Sequence, residues 1–153
     1  MSLKGNSNAE RIWNFLISKG LNPFGVAGLM GNLDRESGLS PINLQNNYEK
    51  LLGFTDDTYT TSVDNGDYQN FVYDKAGYGI AQWTYWSRKQ NLQKYAQEKG
   101  TSIGDLEMQL EFLMQELSSG YKSVLNVLKT ATSVFQASNA VLLNFEKPAN
   151  QGS

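Results

Sequence analysis

The sequence predicts an α+β fold that is mainly α, with helices around a small antiparallel strand-and-loop region. Apolar residues recur at helical spacing before residue 38 and again after Thr84. Between these stretches, from about Tyr48 to Trp86, the helical period disappears and Gly, Asn, Asp and Thr alternate with aromatic residues. That composition is typical of turns and short antiparallel strands. Helices that flank a short irregular region indicate an α+β arrangement dominated by α.

The first two helices have recognisable boundary residues. Ser7 followed by Glu10 forms a capping box, and the helix that it opens is expected to end at Gly20. Asn22 is the expected N-cap of the second helix, because Pro23 then occupies the first helical position, where a missing N–H is tolerated. Glycines inside this second helix predict close backbone approach to another helix or to a ligand. They are Gly25, Gly28 and Gly31.

Helical periodicity returns after Thr84 and continues almost to the end of the chain. Pro148 is expected to end the last helix, because proline cannot continue the hydrogen bonds of a helix interior. The apolar positions that define this stretch are Leu92, Tyr95, Leu106, Leu110, Leu113, Leu117, Val124, Leu125, Leu128, Ala140, Val141, Leu143 and Phe145.

The composition indicates a globular chain with one core. Hydrophobic residues make up 40% of the 153 residues and charged residues 18%, which is enough to bury one good core. No apolar run is long enough to span a bilayer, and the first residues lack the apolar stretch of a signal peptide. Residues 1–5 and 151–153 are expected to be the edges of a piece of a longer polypeptide.

Charge and missing residue types exclude several classes of function. The formal net charge is −2 with acids and bases interspersed, which argues against a nucleic-acid-binding surface. The chain has no His and no Cys, so a Ser-His-Asp hydrolase, a Cys-His peptidase, a Cys or His zinc site and a dithiol redox centre lack essential parts. Nothing in the sequence requires a cofactor or a metal. If the protein is an enzyme, carboxylates must perform its chemistry.

Glu36 is the strongest candidate for a catalytic group. One face of the second helix is apolar and consists of Val26, Leu29, Met30 and Leu33. The helical spacing places Glu36 next on that face. A carboxyl group on the apolar side of a helix is costly to ionise, so its pKa is expected to rise and it can hold a proton near neutral pH, as a general acid requires. The alternative is an ordinary solvated glutamate at a helix end.

A second candidate segment covers residues 77–84. Its glycines allow a tight turn that exposes backbone groups, and the Gln82 amide and the Trp83 indole follow them. This combination suits a sugar, whose hydroxyls need hydrogen-bond partners and whose apolar face needs an aromatic surface. The alternative is a hairpin in which Trp83 anchors the core.

The remaining acidic residues have weaker signals. Glu146 lies just before Lys147 near the end of the last predicted helix, where a helix-terminal charge pair is the simplest explanation. The irregular region also holds aspartates that follow no regular calcium-loop pattern, so they are interpreted as solvated loop residues. These aspartates are Asp56, Asp57, Asp64, Asp67 and Asp74.

Taken together, these stretches resemble the phage tail lysozyme family, whose domains also occur in cell-wall hydrolases of conjugative elements. The matching segments are 31–41, 77–84 and 145–150, which lie in the order of the family and cover nearly the whole chain. The resemblance implies a lysozyme-like fold and a single catalytic domain over residues 6–150. It also implies an extracellular or cell-wall-facing location, in a phage virion tail or on a bacterial surface.

The resemblance further implies a bacteriolytic activity. The implied reaction is cleavage of the β-1,4 bond between N-acetylmuramic acid and N-acetylglucosamine in peptidoglycan glycan strands, with Glu36 matching the catalytic acid. Gln82 matches a turn residue that faces the cleft across from that acid. The other candidates for substrate binding are Ser37, Tyr78, Trp83, Tyr85 and Glu146.

The second catalytic group stays open in the sequence, with Asp56, Asp57, Asp64, Asp67 and Asp74 as candidates. A carboxyl separation of about 5 Å from Glu36 predicts a retaining enzyme, and about 6.5–9.5 Å predicts an inverting one. Without such a carboxylate, the alternative is a lytic transglycosylase, in which the substrate's own 6-hydroxyl attacks and a 1,6-anhydro product forms. A further alternative is a non-catalytic wall-binding module or a structural part of a phage tail or conjugation apparatus.

Overall fold

The computed structural model of the protein describes residues 3–150, which fold into a set of packed helices. The α-helices are α1 (Asn8–Ser18), α2 (Pro23–Ser37), α3 (Asn46–Leu52), α4 (Asp56–Asp64), α5 (Trp86–Lys99), α6 (Leu106–Gly120), α7 (Lys122–Thr130), α8 (Val134–Val141) and α9 (Lys147–Asn150). A π-helical turn, Leu142–Glu146, joins α8 to α9.

The predicted N-caps of α1 and α2 are confirmed, whereas α1 ends at Ser18 and not at Gly20. The Ser7 side chain accepts a hydrogen bond from the Glu10 N–H at 3.2 Å and caps α1. The Asn22 side chain does the same for α2, accepting from the Gly25 N–H at 2.8 Å. Gly38 follows α2 with φ 62°, a left-handed conformation that glycine adopts without a steric penalty.

Helix α2 lies at the centre of the packing, where it contacts α1, α7 and most extensively α8. A Cβ atom on Gly25 would lie 1.8 Å from the Leu128 carbonyl oxygen of α7. A Cβ on Gly28 would lie 2.5 Å from the Ala137 side chain of α8. The predicted close approach is therefore confirmed at these two glycines, whereas Gly31 faces open space. The glycines let α2 sit close enough to its neighbours to hold its C-terminal end in one place.

The region between Tyr48 and Trp86 contains more helix than the sequence predicted. Most of α3 and all of α4 lie within it, and α4 begins with a capping box formed by Thr55 and Thr58. Antiparallel pairing in the described residues is limited to isolated bridges that join Tyr78 to Leu44 and to Trp83. The mainly α fold is thus confirmed, and the expected short strands are reduced to these bridges. The alternation of aromatic and polar residues obscured the capping signal that starts α4.

The sequence predicted that the last helical stretch ends at Pro148, but in the structure it continues past this residue. After α8 the backbone widens into the π-helical turn, and α9 then continues through Pro148. Proline is tolerated there because it lies in the first turn of α9, where an N–H has no partner within that helix. A π-helical turn inside a helix is uncommon and often lies at a functional site. Here it positions Phe145 and Glu146, which are both buried.

A buried ion pair joins the region between Tyr48 and Trp86 to α5. Lys89 Nζ donates to Asp74 Oδ1 at 2.7 Å and to the Ala76 carbonyl oxygen at 2.7 Å. Tyr59 and Tyr68 donate their hydroxyls to Asp74 Oδ2 at 2.6 and 2.9 Å. Burial lowers the pKa of Lys89 to about 8, although the Asp74 carboxylate opposes that change. The hydrogen bonds offset the cost of removing both charges from water.

Replacement of Lys89 by methionine is expected to destabilise the protein. The substitution leaves the Asp74 carboxylate buried without its cation, which costs about 3 kcal/mol of unfolding free energy even with the tyrosine hydrogen bonds retained. Urea unfolding measures the change, and Lys94→Met, at an exposed position of the same helix, is the matched control. Equal stability of the two variants would show that the ion pair contributes nothing.

Part of the first predicted edge, residues 3–5, lies within the described residues. Leu3 packs against the core, and the Gly5 carbonyl accepts a hydrogen bond from Arg11 Nε at 3.2 Å. Residues 3–5 therefore contact the rest of the fold, while the expected edges at 1–2 and 151–153 lie outside the described residues. Within residues 3–150, no helix has both the length and the apolar character needed to cross a membrane.

Candidate active site

An open cavity of about 540 Å³ lies at the C-terminal end of α2. Its lining side chains are polar and come from the end of α2, the loop that leads into α3 and the turn that contains Gln82. The lining residues are Arg35, Glu36, Ser37, Gly38, Asn43, Gln45, Asn46, Asn47 and Gln82. Among these described lining residues, Glu36 provides the only carboxylate. The cavity therefore combines one acidic group with many amide groups that can bind the hydroxyl and acetamido groups of a sugar.

Hydrogen bonds tie the two sides of the cavity together. The Ser37 hydroxyl lies 2.8 Å from the Ile80 carbonyl oxygen and 2.9 Å from that of Leu33. Asn43 Nδ2 donates to the Ser37 carbonyl at 3.2 Å, and Gln82 Nε2 donates to the Asn43 carbonyl at 2.9 Å. These bonds join α2, the loop before α3 and the turn at Gln82. The separation between Glu36 and the opposite wall is thereby fixed.

Gln82 adopts a backbone conformation that is uncommon for a residue with a side chain. Its φ is 49°, in the left-handed region, and its Nε2 donates back to the Gly79 carbonyl at 3.0 Å. The buried Gln109 holds this turn from below, because its Oε1 accepts from the Ile80 N–H at 3.0 Å and its Nε2 donates to the Ile103 carbonyl at 2.7 Å. Non-glycine residues in such a conformation cluster at functional sites.

The structure corrects the reason for which Glu36 was selected. The buried position that follows Leu33 on the apolar face is taken by Ser37, and Glu36 is exposed to the cavity instead. The walls of the cavity still remove part of the water around its carboxyl group, and this desolvation raises the pKa of Glu36. The positive charges of Arg35 and Arg88 oppose the increase. Glu36 thus lines the cavity with a raised pKa, which is the direction that a general acid requires.

Arg88 is the centre of a buried charge network behind Glu36. Its Nε and one terminal nitrogen donate to the two carboxylate oxygens of Glu116 at 2.9 and 2.7 Å. The Trp83 indole N–H donates to the same carboxylate at 2.9 Å, and the Phe145 ring lies 5.2 Å from the guanidinium. Glu116 therefore binds Arg88 through both of its carboxylate oxygens.

Glu146 lies in the same network but does not line the cavity. Its side chain is buried in the π-helical turn, and neither carboxyl oxygen has a hydrogen-bond partner in the described part of the chain. Burial raises the pKa of Glu146 to about 8, with Arg88 acting against the increase and the charges of Glu36 and Glu116 adding to it. A buried acid that does not line the cavity does not match the substrate-binding role predicted for Glu146, and neither does it match a solvated helix-terminal charge pair.

The predicted sugar contacts at Tyr78 and Trp83 are not available to a ligand. Both side chains are fully buried. The Tyr78 ring packs against Tyr59 at 5.4 Å, and the Trp83 ring packs against Phe112 at 5.6 Å. The core-anchor interpretation of Trp83 is therefore the one that the structure supports. Tyr85 is partly exposed and remains a candidate.

The candidate aspartates are not among the residues that line the cavity. Asp74 is paired with Lys89, as described above. Asp56 Oδ1 accepts from the Leu44 N–H at 2.9 Å, and Asp64 Oδ1 accepts from the Ile103 N–H at 2.9 Å, so both carboxylates stabilise backbone elsewhere. The remaining candidates, Asp57 and Asp67, are exposed at the start of α4 and after its end. None of the predicted partners therefore lines the cavity beside Glu36.

The amide groups of the cavity were missed by the sequence analysis. They come from Asn43, Gln45, Asn46 and Asn47, which lie in an amide-rich run directly after Pro41. Gln45 is held in place as well, because its Oε1 accepts from the Gly77 N–H at 2.9 Å. The density of amides so soon after Glu36 was the available signal. It was overlooked because such residues are also common in ordinary turns.

The match to a known family agrees with this geometry. Residues 7–153 match the phage tail lysozyme family. The chain belongs to the phage tail lysozyme family. Its function is accordingly a lysozyme-like role in peptidoglycan degradation, and it is a phage-associated protein that acts on the bacterial cell wall. For a phage tail lysozyme, an amide-lined cavity with one raised-pKa glutamate is an appropriate site for a glycan.

Proposed function

We propose that this phage tail lysozyme cleaves the β-1,4 bond between N-acetylmuramic acid and N-acetylglucosamine, with Glu36 as the general acid. The observation that carries the proposal is the position of Glu36 as the only carboxylate among the described residues of a polar cavity, with its pKa raised by desolvation. A protonated carboxyl group at that place can donate to the glycosidic oxygen as the bond breaks. The amide-rich walls supply the hydrogen bonds that position the sugar rings.

Proton donation leaves Glu36 as a carboxylate beside a sugar ring that carries developing positive charge. The charges of Arg35 and Arg88 favour this ionised form, so they lower the cost of the step. The same carboxylate can then take a proton from the hydroxyl that attacks the sugar, as glycosidases do when the acid becomes the base. In the lytic transglycosylase route one carboxyl group is sufficient for both halves of this sequence.

The lytic transglycosylase route is a second candidate because the cavity shows no other carboxylate in the described residues. In that route the 6-hydroxyl of the muramic acid attacks its own anomeric carbon. Its proton passes to Glu36, and the product is a 1,6-anhydro sugar. Hydrolysis differs only in using water as the attacking hydroxyl. The charges near Glu36 and the amide groups of the cavity are compatible with both routes.

Mass spectrometry of digested peptidoglycan tests the proposal. New reducing or 1,6-anhydro ends are expected on muramic acid alone, and their mass identifies the route: an anhydro end is lighter by one water than a reducing end. New reducing ends on N-acetylglucosamine would contradict the proposed bond. Tight binding to cell walls without release of soluble fragments would instead support the non-catalytic wall-binding module.

A further inference from the structure

An exposed pair of stacked aromatic rings lies outside the cavity. Tyr73 is 61% exposed and Trp86 is 43% exposed, and their rings stack with centroids 5.9 Å apart and an interplanar angle of 23°. Tyr85 packs beside Trp86 with centroids 6.0 Å apart. Large aromatic side chains are costly to leave in water, so a stacked, exposed pair of this kind marks a binding surface.

Tyr73 and Trp86 lie on two chain segments, and each segment is connected to one wall of the cavity by hydrogen bonds. Gly77 exchanges backbone and side-chain hydrogen bonds with the cavity residue Gln45, at 2.8 and 2.9 Å, and Tyr73 precedes Gly77 by a few residues. On the other side, Thr84 donates to the carbonyl of the cavity residue Gln82 at 2.8 Å, directly before Trp86 begins α5. The short segment from Tyr73 to Gly77 spans at most about 14 Å, so Tyr73 lies within that distance of Gly77.

The backbone segments that carry the aromatic pair are also joined by a buried ion pair. Asp74, next to Tyr73, is the carboxylate of the buried ion pair, and Lys89, one helical turn after Trp86, is its cation, at a distance of 2.7 Å. The ion pair therefore joins the two backbone segments that carry the exposed rings. A preorganised aromatic surface binds a ligand with little loss of side-chain freedom.

We propose that Tyr73 and Trp86 form a sugar-binding platform that holds the peptidoglycan glycan strand beyond the cavity. The proposal rests on the proposed function, because the occupant is the same polymer whose bond Glu36 is proposed to cleave. The strand is a long polymer of two alternating sugars, so a chain that is bound in the cavity extends over the adjacent wall. The apolar face of a pyranose ring complements the flat face of an indole or a phenol ring.

The platform is tested by binding to insoluble peptidoglycan, measured by co-sedimentation in a Glu36→Gln background so that the substrate stays intact. Trp86→Ala and Tyr73→Ala are expected to weaken binding about three- to tenfold each, the loss of one aromatic contact. Trp86→Phe is expected to restore most of the affinity. Trp13→Ala, which removes an indole that is 36% exposed on α1, is the matched control and is expected to bind like the parent.

A second measurement separates the platform from the catalytic proposal. In the active protein, Trp86→Ala is expected to raise KM for long glycan strands more than it lowers kcat, and the effect is expected to shrink as the strand is shortened. Unchanged binding of Trp86→Ala and Tyr73→Ala would overturn the platform, whatever Glu36 does. Full activity of Glu36→Gln would overturn the proposed acid, and the platform variants would then be compared only with Trp13→Ala, which shares the same background and digests the substrate equally. Equal losses in the Trp13 control would also overturn the platform.

Discussion

Glu36→Gln is expected to reduce the rate of peptidoglycan cleavage by about 10²- to 10⁴-fold, the usual contribution of a general acid. The amide has nearly the same shape as the protonated acid, so substrate binding is retained while the transferable proton is lost. Release of soluble fragments from purified cell walls measures the rate. Because the wild-type acid must be protonated, activity is also expected to fall as pH rises through the raised pKa of Glu36.

The control for this experiment lies on the same helix. Asp34 is an exposed carboxylate near Glu36 in the sequence, and it does not line the cavity. Asp34→Asn removes the same charge from α2 and is expected to keep wild-type activity. Comparable losses in both variants would indicate an effect of charge or stability on the whole protein. Retention of wild-type clearing by Glu36→Gln would show that the acid assignment is wrong.

The sequence was sufficient to predict the parts of this molecule that depend on local signals. The caps at Ser7 and Asn22 depend on residues within a few positions of each other, and both were predicted correctly. Glu36 was also identified, but the position on the apolar face that the spacing assigned to it is occupied by Ser37. A shift of one residue moves a side chain by about 100° around a helix, so spacing alone cannot separate a buried residue from its neighbour at the helix end.

The parts that were missed depend on contacts between distant segments. Arg88, Glu116 and Glu146 lie on α5, on α6 and in the π-helical turn, and only folding brings their charges together. The aromatic residues show the same limitation. Trp83 is buried and Trp86 is exposed, although both follow the same glycine-containing turn. Composition indicates that aromatic side chains are present, whereas exposure decides which of them can bind a sugar.

The buried carboxyl of Glu146 makes the stability of the protein depend on pH. In the unfolded chain this group ionises near its ordinary pKa of 4.5, but in the folded protein it retains its proton up to a pKa of about 8. Between these values the unfolded state binds fewer protons than the folded state. Stability is therefore greatest below the unfolded pKa and is lost as pH rises toward the folded pKa. At about 1.36 kcal/mol for each pKa unit, the loss amounts to roughly 5 kcal/mol.

Glu146→Gln is expected to remove this decline, because glutamine does not ionise. The free energy of unfolding, measured with urea at several pH values between about 5 and 8, is expected to fall more steeply in the wild type than in the variant. At the alkaline end the variant is expected to be the more stable protein, since neither oxygen of the replaced carboxyl has a partner to lose in the described structure. Glu98→Gln, at an exposed position of α5, controls for the change in net charge. Parallel curves for the wild type and Glu146→Gln would show that Glu146 is already ionised in the folded state, and its charge would then have to be balanced by Arg88.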